Sequence, residues 1–411
     1  MLAAYQRLRH LYRATFAFGL ACGISIALTP LYLDAQGYTK RDIGLLALFF
    51  ASGLVAFALP VGGLIRRWGG KRTLSIMLAG YAVCVGLFPF VPGFGGIAGV
   101  RFLDGVFSVG VWVASETILL SRSDAEHKAQ LTSLYAIWLA CGYVAGPVLA
   151  RLTSPYLSAS HSFVVAGLVA LAAMLYVVAL VPSDSAGEGT APHPEESPAV
   201  DDSGAEVEGA GEKPSWAPLF WRIKTSCLAA FSYGYFQASV VLFLPLYLIE
   251  SKGIARDDTI VLPGIFCLGM LLASNLVGRV ADRLGHLRVV TTLCAVGTAC
   301  VLGFVFLDSY YWMCAAVFGA GATFASMSPV ALALIGVVTP PRQLSHANSI
   351  YNVCYASGML LGPPLTSWIF QTAGGAVMLY HLGALWGAYV LFALVFATDD
   401  PAAARSLGVA G

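Results

Sequence analysis

The sequence predicts an all-α integral membrane protein whose twelve transmembrane helices form two six-helix parallel repeats, and three observations predict it. Composition is the first: of 411 residues, 58% are hydrophobic and only 11% charged, with a mean hydropathy of +0.77, whereas water-soluble domains carry about 25% charged residues. Apolar runs are the second. They fall at 14–33, 43–65, 73–91, 96–120, 131–152 and 161–181, and again at 225–249, 259–281, 289–307, 311–338, 349–370 and 376–398, each close to the ~20 residues that a helix needs to cross a bilayer. Internal repetition is the third. A shift of 216 residues lays Phe50 on Phe266, Gly53 on Gly269, Phe102 on Phe318, Gly105 on Gly321, Ser133 on Ser349, Tyr135 on Tyr351 and Gly146-Pro147 on Gly362-Pro363. Upstream, PLYL at 30–33 recurs at 245–248, a shift of 215. Because each copy has an even number of spans, both share one orientation, and such repeats pack about an axis along the membrane normal with the solute site between them near midplane.

Taken in order, the chain opens on a short basic stretch in which Arg7, Arg9 and Arg13 flank Tyr5, Leu8 and Leu11. The apolar run that follows is too long for the core of a cleaved signal peptide and reads as the first span. Residues 1–182 make the first bundle, 183–218 a linker, 219–400 the second bundle and 401–411 a tail. The linker is rich in Pro, Gly, Ser and Ala and holds nine of the 22 acids between Asp184 and Glu212, a composition expected to stay disordered. With the N-terminus inside, 17 Lys and Arg fall in cytoplasmic segments and five in external loops, and the remaining one, Arg101, lies within a span. The positive-inside rule therefore places both termini and the linker in the cytoplasm, the setting being a bacterial inner membrane.

Nine cysteines fall inside apolar stretches without a CxxC pair or a His at metal spacing, so they read as buried thiols and no metal or cofactor is expected. His127, His286 and His346 fall in cytoplasmic loops, and His161 and His381 near external ends. There is no Walker loop and no Ser/His/Asp arrangement on a soluble scaffold, so the chain is not expected to be an enzyme or to use ATP. Its sparse basic loops give no support to nucleic-acid binding.

Several motifs resemble the major facilitator superfamily of secondary transporters, and the likeness covers essentially the whole chain. The loop signature GxxxDRxGxxR is met by Gly278, Asp282, Arg283, Gly285 and Arg288, while the first copy keeps Gly62, Arg67, Gly69 and Arg72 but has Arg66 in place of the acid. The fourth-span pattern, Arg followed by Gly four residues on, is met by Arg101 and Gly105, and the fifth-span GxxxGP by Gly142, Gly146 and Pro147, repeated as Gly358, Gly362 and Pro363. More narrowly, Arg101, Phe102, Gly105, Trp112 and Glu116 share the spacing of the bacterial YcaD-like branch. The resemblance implies alternating access, a cytoplasmic latch built from the loop signature, and, from GxxxGP, a bent fifth helix of the kind found in exporters that exchange substrate for protons.

The chemistry concentrates in the fourth span. At 100° per residue, Arg101, Asp104, Ser108, Trp112, Ser115 and Glu116 share one helical sector of about 120°. Charged groups at the centre of a spanning helix cost about 2.5–3.5 kcal/mol each on insertion scales and need partners or a wet cavity. The shift of 216 sets Val317, Ala320 and Leu332 against Arg101, Asp104 and Glu116; architecture alone does not demand the charges. Two roles fit them: a buried Arg101–Asp104 ion pair with Glu116 near the cytoplasmic headgroups, or a site for proton coupling or substrate charge, in which protonation follows the side that admits water. Glu116 lies about 22 Å along the axis from Arg101, so those two cannot pair.

Cavity candidates elsewhere are Tyr233, Tyr235 and Gln237 on the seventh span and Asn352 and Tyr355 on the eleventh, which with Trp112 suit an amphipathic or aromatic organic molecule. The leading expectation is a monomeric, proton-coupled antiporter exporting such a compound. An importer of a metabolite or organic anion, with Arg101 as counter-ion, and a non-transporting membrane sensor or scaffold are the alternatives.

Overall fold

The computed structural model describes residues 2–122, 128–182, 216–340 and 343–400. Twelve long helices follow in order: α1 (Leu2–Ala35), α2 (Lys40–Ala58, resuming as Pro60–Trp68), α3 (Gly70–Leu87), α4 (Gly93–Ser121), α5 (Lys128–Thr153), α6 (Ala159–Leu180), α7 (Lys224–Lys252), α8 (Leu262–Leu284), α9 (His286–Phe304), α10 (Tyr310–Val338), α11 (Leu344–Ala373) and α12 (Gly375–Val395). Among the described residues, eleven helices are long and apolar enough to cross a membrane. The twelfth is α11, whose apolar run is diluted by Pro363, Pro364 and small polar residues. A short helix, Trp216–Arg222, begins inside the stretch read as linker, and the rest of that linker and the tail at 401–411 lie outside the described residues. The helices alternate in direction. The N-terminus, the 182–216 junction and the end of α12 therefore share one end of the bundle, the near end, while the loops around 35–40, 152–158, 252–256 and 305–309 lie at the far end.

Local chemistry sets several boundaries. Thr39 opens α2 with a capping box, its hydroxyl accepting from the Asp42 amide while the Asp42 carboxylate accepts from the Thr39 amide, which satisfies two donors that a helix start leaves open. Pro60 has no amide hydrogen to give, and α2 breaks at Leu59 before resuming. The joints α2–α3 and α8–α9 each turn on one residue, Gly69 (φ 80°) and Gly285 (φ 94°), a conformation in which a side chain would clash. That is the local reason for two of the loop-signature glycines. In α10 the turn Gly321–Ala325 is π-helical, an interruption that the continuous apolar run does not reveal.

Within each half, α1 packs on α5 and α6, α2 on α4 and α3 on α6, while α7 packs on α11, α8 on α10 and α9 on α12. Small residues let these backbones meet, the usual means of helix association where lipid offers no hydrophobic driving force. Gly53 faces the Phe102 carbonyl and Gly105 the Phe50 carbonyl. The second copy repeats the arrangement, with Gly269 against Phe318 and Gly321 against Phe266. The halves meet along two seams, α2 with α11 and α5 with α8. All nine cysteines are free: Cys22, Cys84, Cys227 and Cys294 are buried, and the other five only half-buried.

Candidate functional site

The Gly53 and Gly105 contacts seat α4 tightly on α2, and this brings Arg101 over the Phe50 ring, 4.4 Å from guanidinium carbon to ring centroid. Arg101 Nη1 donates to Asp104 Oδ2 at 2.5 Å, and Ser108 Oγ donates to Asp104 Oδ1 at 3.3 Å. Asp104 is only 6% exposed, and Arg101 Nε is buried with no acceptor among the described residues. The pair is thus buried beneath the Phe50 ring, with Ser108 on the second carboxylate oxygen. A buried charge left alone is far more costly than a matched one, so the pair secures itself.

The remainder of the α4 stripe has other surroundings. Trp112 is half-buried, and its Nε1 has no acceptor among the described residues. Ser115 Oγ lies 2.7 Å from the Tyr135 hydroxyl. Glu116 is exposed towards the near end of α4. One helical face therefore carries a buried ion pair, a buried indole donor without an acceptor among the described residues and an exposed carboxylate, in that order from far to near.

Of the second-half candidates, the structure brings three together. Tyr233 and Tyr355 have ring centroids 5.9 Å apart, and the Tyr355 hydroxyl donates to Gln237 Oε1 at 2.8 Å. Tyr235 does not join this cluster. Its hydroxyl lies 2.7 Å from His381 Nε2 on α12, inside the second bundle. Asn352 is exposed nearer the near end, bonded to the Asn348 carbonyl at 3.0 Å.

Sequence reasoning placed His381 near an external end and missed its buried partner. It also missed the Lys224 ammonium at the start of α7, which is 2.6 Å from Asp399 and stacked on Trp221 and Phe396. Neither has a periodic signature, since both depend on which neighbouring helix faces them.

Arg67, Arg72, Arg283 and Arg288 are exposed at the near end. A side chain added at Gly278 would meet nothing within 4 Å, and one at Gly62 only its own helix's Arg66. The Asp282 side chain lies outside the described residues. The GxxxGP residues work at close range: Gly142 and Gly146 abut the α1 backbone, and Gly358 and Gly362 the α7 backbone. Their prolines lie on the seams, Pro147 against Gly264 and Pro363 against Gly44.

The two ends of the molecule differ. At the far end, Lys40 pairs with Glu250, Arg256 with Asp34 and Arg151 with Asp258, all between halves. At the near end, the matching positions Ser133, Ala136 and Ile137 on α5 and Ser349, Asn352 and Val353 on α11 are exposed, as is Glu116.

Two six-helix bundles joined along two seams, closed at one end and bare at the other around polar groups at mid-depth, define a membrane carrier. The family model of the Major Facilitator Superfamily matches residues 11–309 and 226–411, and the chain belongs to that superfamily of secondary transporters. It is a multi-pass membrane protein and not an enzyme. The chain is 23% identical to the uncharacterized MFS-type transporter YfkF of Bacillus subtilis (strain 168) over 383 residues, 91% of this chain and 92% of the relative. It is 25% identical to the MFS-type transporter Ent638_1421 of Enterobacter sp. (strain 638), over 93% of this chain and 94% of that one. Among solved structures it resembles the nucleoside transporter NupG, with TM-score 0.73 at 12% identity, covering 98% of this chain and 100% of that chain. A bacterial homolog of the human lysosomal transporter Spinster, inward-facing and unoccupied, gives TM-score 0.70 at 13% identity, covering 97% of each chain. At such identities these structures share the fold alone, and the YcaD-like likeness remains one of spacing.

Proposed function

We propose that this carrier is a proton-coupled antiporter that exports an amphipathic, ring-bearing organic compound by alternating access, with the near end in the cytoplasm. The observation that carries the reading is a carboxylate, Asp104, buried at mid-depth and held by the adjacent Arg101 in a half whose partner copy has Val317 and Ala320 at those positions. Intramembrane ionisable pairs are costly and mark ion or substrate pathways. The positive-inside count supports the orientation.

In this reading, a proton arriving from the far side neutralises Asp104 and releases Arg101. The Asp104–Arg101 contact re-forms when the proton leaves to the near side. Solute lies against the Tyr233, Gln237 and Tyr355 cluster, where flat aromatic faces and one amide favour a ring with hydrogen-bonding edges, and the Trp112 indole N–H, buried and unpartnered among the described residues, supplies a donor from the first half once uncovered. Arg101, already matched by Asp104, is not needed as a counter-ion for an anionic solute.

The test has two steps. Thermal-shift screening of purified protein against a metabolite and drug panel at two pH values identifies a solute, and solute-dependent proton flux is then followed in vesicles. Asp104→Asn is expected to abolish the proton flux while leaving solute binding to the Tyr233 cluster, and flux that survives unchanged in this variant overturns the assignment.

A further inference from the structure

We infer that Asp34, Lys40, Glu250 and Arg256 form a reciprocal clasp that closes the far mouth of the transport path, a single ion pair used twice with the halves exchanged. Arg256 Nη2 lies 2.5 Å from Asp34 Oδ2, and Lys40 Nζ lies 2.6 Å from Glu250 Oε1. The 216-residue shift carries Asp34 to Glu250 and Lys40 to Arg256. In each copy, therefore, an acid at the end of the first helix reaches a base that opens the second helical stretch of the other copy. Gly37 (φ 82°) and Gly253 (φ 66°), which turn the chain between acid and base, are in the same register. Contacts in which one residue meets another and the equivalents meet in return are the mark of a two-fold interface. The clasp is thus a property of the repeat and not two chance surface pairs.

Its neighbours support a closure and not a point contact. Arg256 Nη1 also donates to the Leu31 carbonyl at 2.7 Å, Lys40 Nζ lies 4.8 Å from the Phe370 ring centroid, and the Arg41 amide donates to Gln371 Oε1 at 3.1 Å. Each of these joins one half to the other. The further cross-half pair, Arg151 with Asp258, has no reciprocal form, because the shift sets Ser367 against Arg151 and Asp42 against Asp258, and Asp42 is spent on capping α2. Only the four clasp residues repeat.

The side chains of the two pairs are 22–41% exposed. Half-exposed ion pairs are individually weak, each shifting an equilibrium by up to about fivefold, and they are screened by salt over a Debye length of about 8 Å at physiological ionic strength. Two such pairs bias the far mouth towards closure without locking it. Both must break for the far mouth to open, and their release depends on the salt on the far side.

The inference rests on the alternating-access reading, but its test needs no solute. Hydrogen–deuterium exchange is measured on the full chain in lipid nanodiscs at low and at high salt. In the Lys40→Ala/Arg256→Ala variant, exchange in far-end peptides of α2 and α8 is expected to rise, while exchange in near-end peptides of α5 and α11 falls by several-fold. High salt should move the parent chain in the same sense. The charge-exchanged variant Asp34→Arg/Arg256→Asp should keep the parent pattern. A pattern unchanged at both ends overturns the clasp, and so does a rise at both ends, which reads as general loosening. Should the chain move no solute at all, an opposite-signed change at the two ends would still support the clasp, so the two readings fail separately.

Discussion

Arg101 and Asp104 show what one residue can be asked to do. Breaking a buried ion pair by removing one partner costs about 3–5 kcal/mol, because the other charge is left uncompensated, whereas replacing both with apolar groups of similar volume is often neutral. The second copy shows that the matching positions can be built apolar, since Val317 and Ala320 occupy them and are 4% and 8% exposed. Arg101→Met is therefore expected to lower the melting temperature of the purified protein markedly, and Arg101→Met/Asp104→Leu to recover most of that loss while remaining uncoupled from protons. Thermal unfolding in detergent checks the first part and vesicle proton flux the second. Helical geometry made this pair legible in the sequence, because residues three apart lie on one face. The rotation of Tyr235 towards His381 was not legible. Helix α7 is buried on most of its faces, so no amphipathic pattern marks which side meets the solute path and which meets α12.

At the level of the helix, the GxxxGP element has two working faces. Gly142 and Gly146 hold α5 against α1, with room for no side chain, and Pro147 sits on the seam with α8 beside Gly264. Gly358, Gly362 and Pro363 repeat this on α11, α7 and α2. One motif thus fixes packing within a half and shapes the surface along which the halves meet. Overpacking of a tight contact typically costs about 1–3 kcal/mol, and more where the obstacle is backbone. Gly146→Leu is expected to reduce the yield of monodisperse protein on size-exclusion chromatography, and Gly278→Leu, in open space, to leave it unchanged. The sequence revealed the motif and its repetition but not this division of labour, which depends on the partner helix. Nor did hydropathy reveal the π-helical turn in α10, because it is blind to hydrogen-bond register, whereas the break at Leu59 had its signal in Pro60, which lies within the apolar run read as one span.

For the molecule as a whole, twelve helices and two copies were readable because bilayer thickness and repetition both leave length-scale signatures in a sequence. Which end is shut was not, since closure depends on pairs more than 200 residues apart, such as Lys40 with Glu250. With the near end in the cytoplasm, Asn352→Cys should react with an impermeant maleimide added to inside-out vesicles and resist it in right-side-out ones; the reverse result would invert the orientation. The buried ion pair also bears on electrical work. Paired, Arg101 and Asp104 sum to zero, and a membrane potential exerts no net force on them. A proton on Asp104 leaves one uncompensated positive charge inside the field, where a full crossing is worth about 2.3 kcal/mol per 100 mV. In the proposed proton-coupled cycle, voltage would then act on the loaded form of the first half alone, making that cycle electrogenic in one limb and electrically silent in the other.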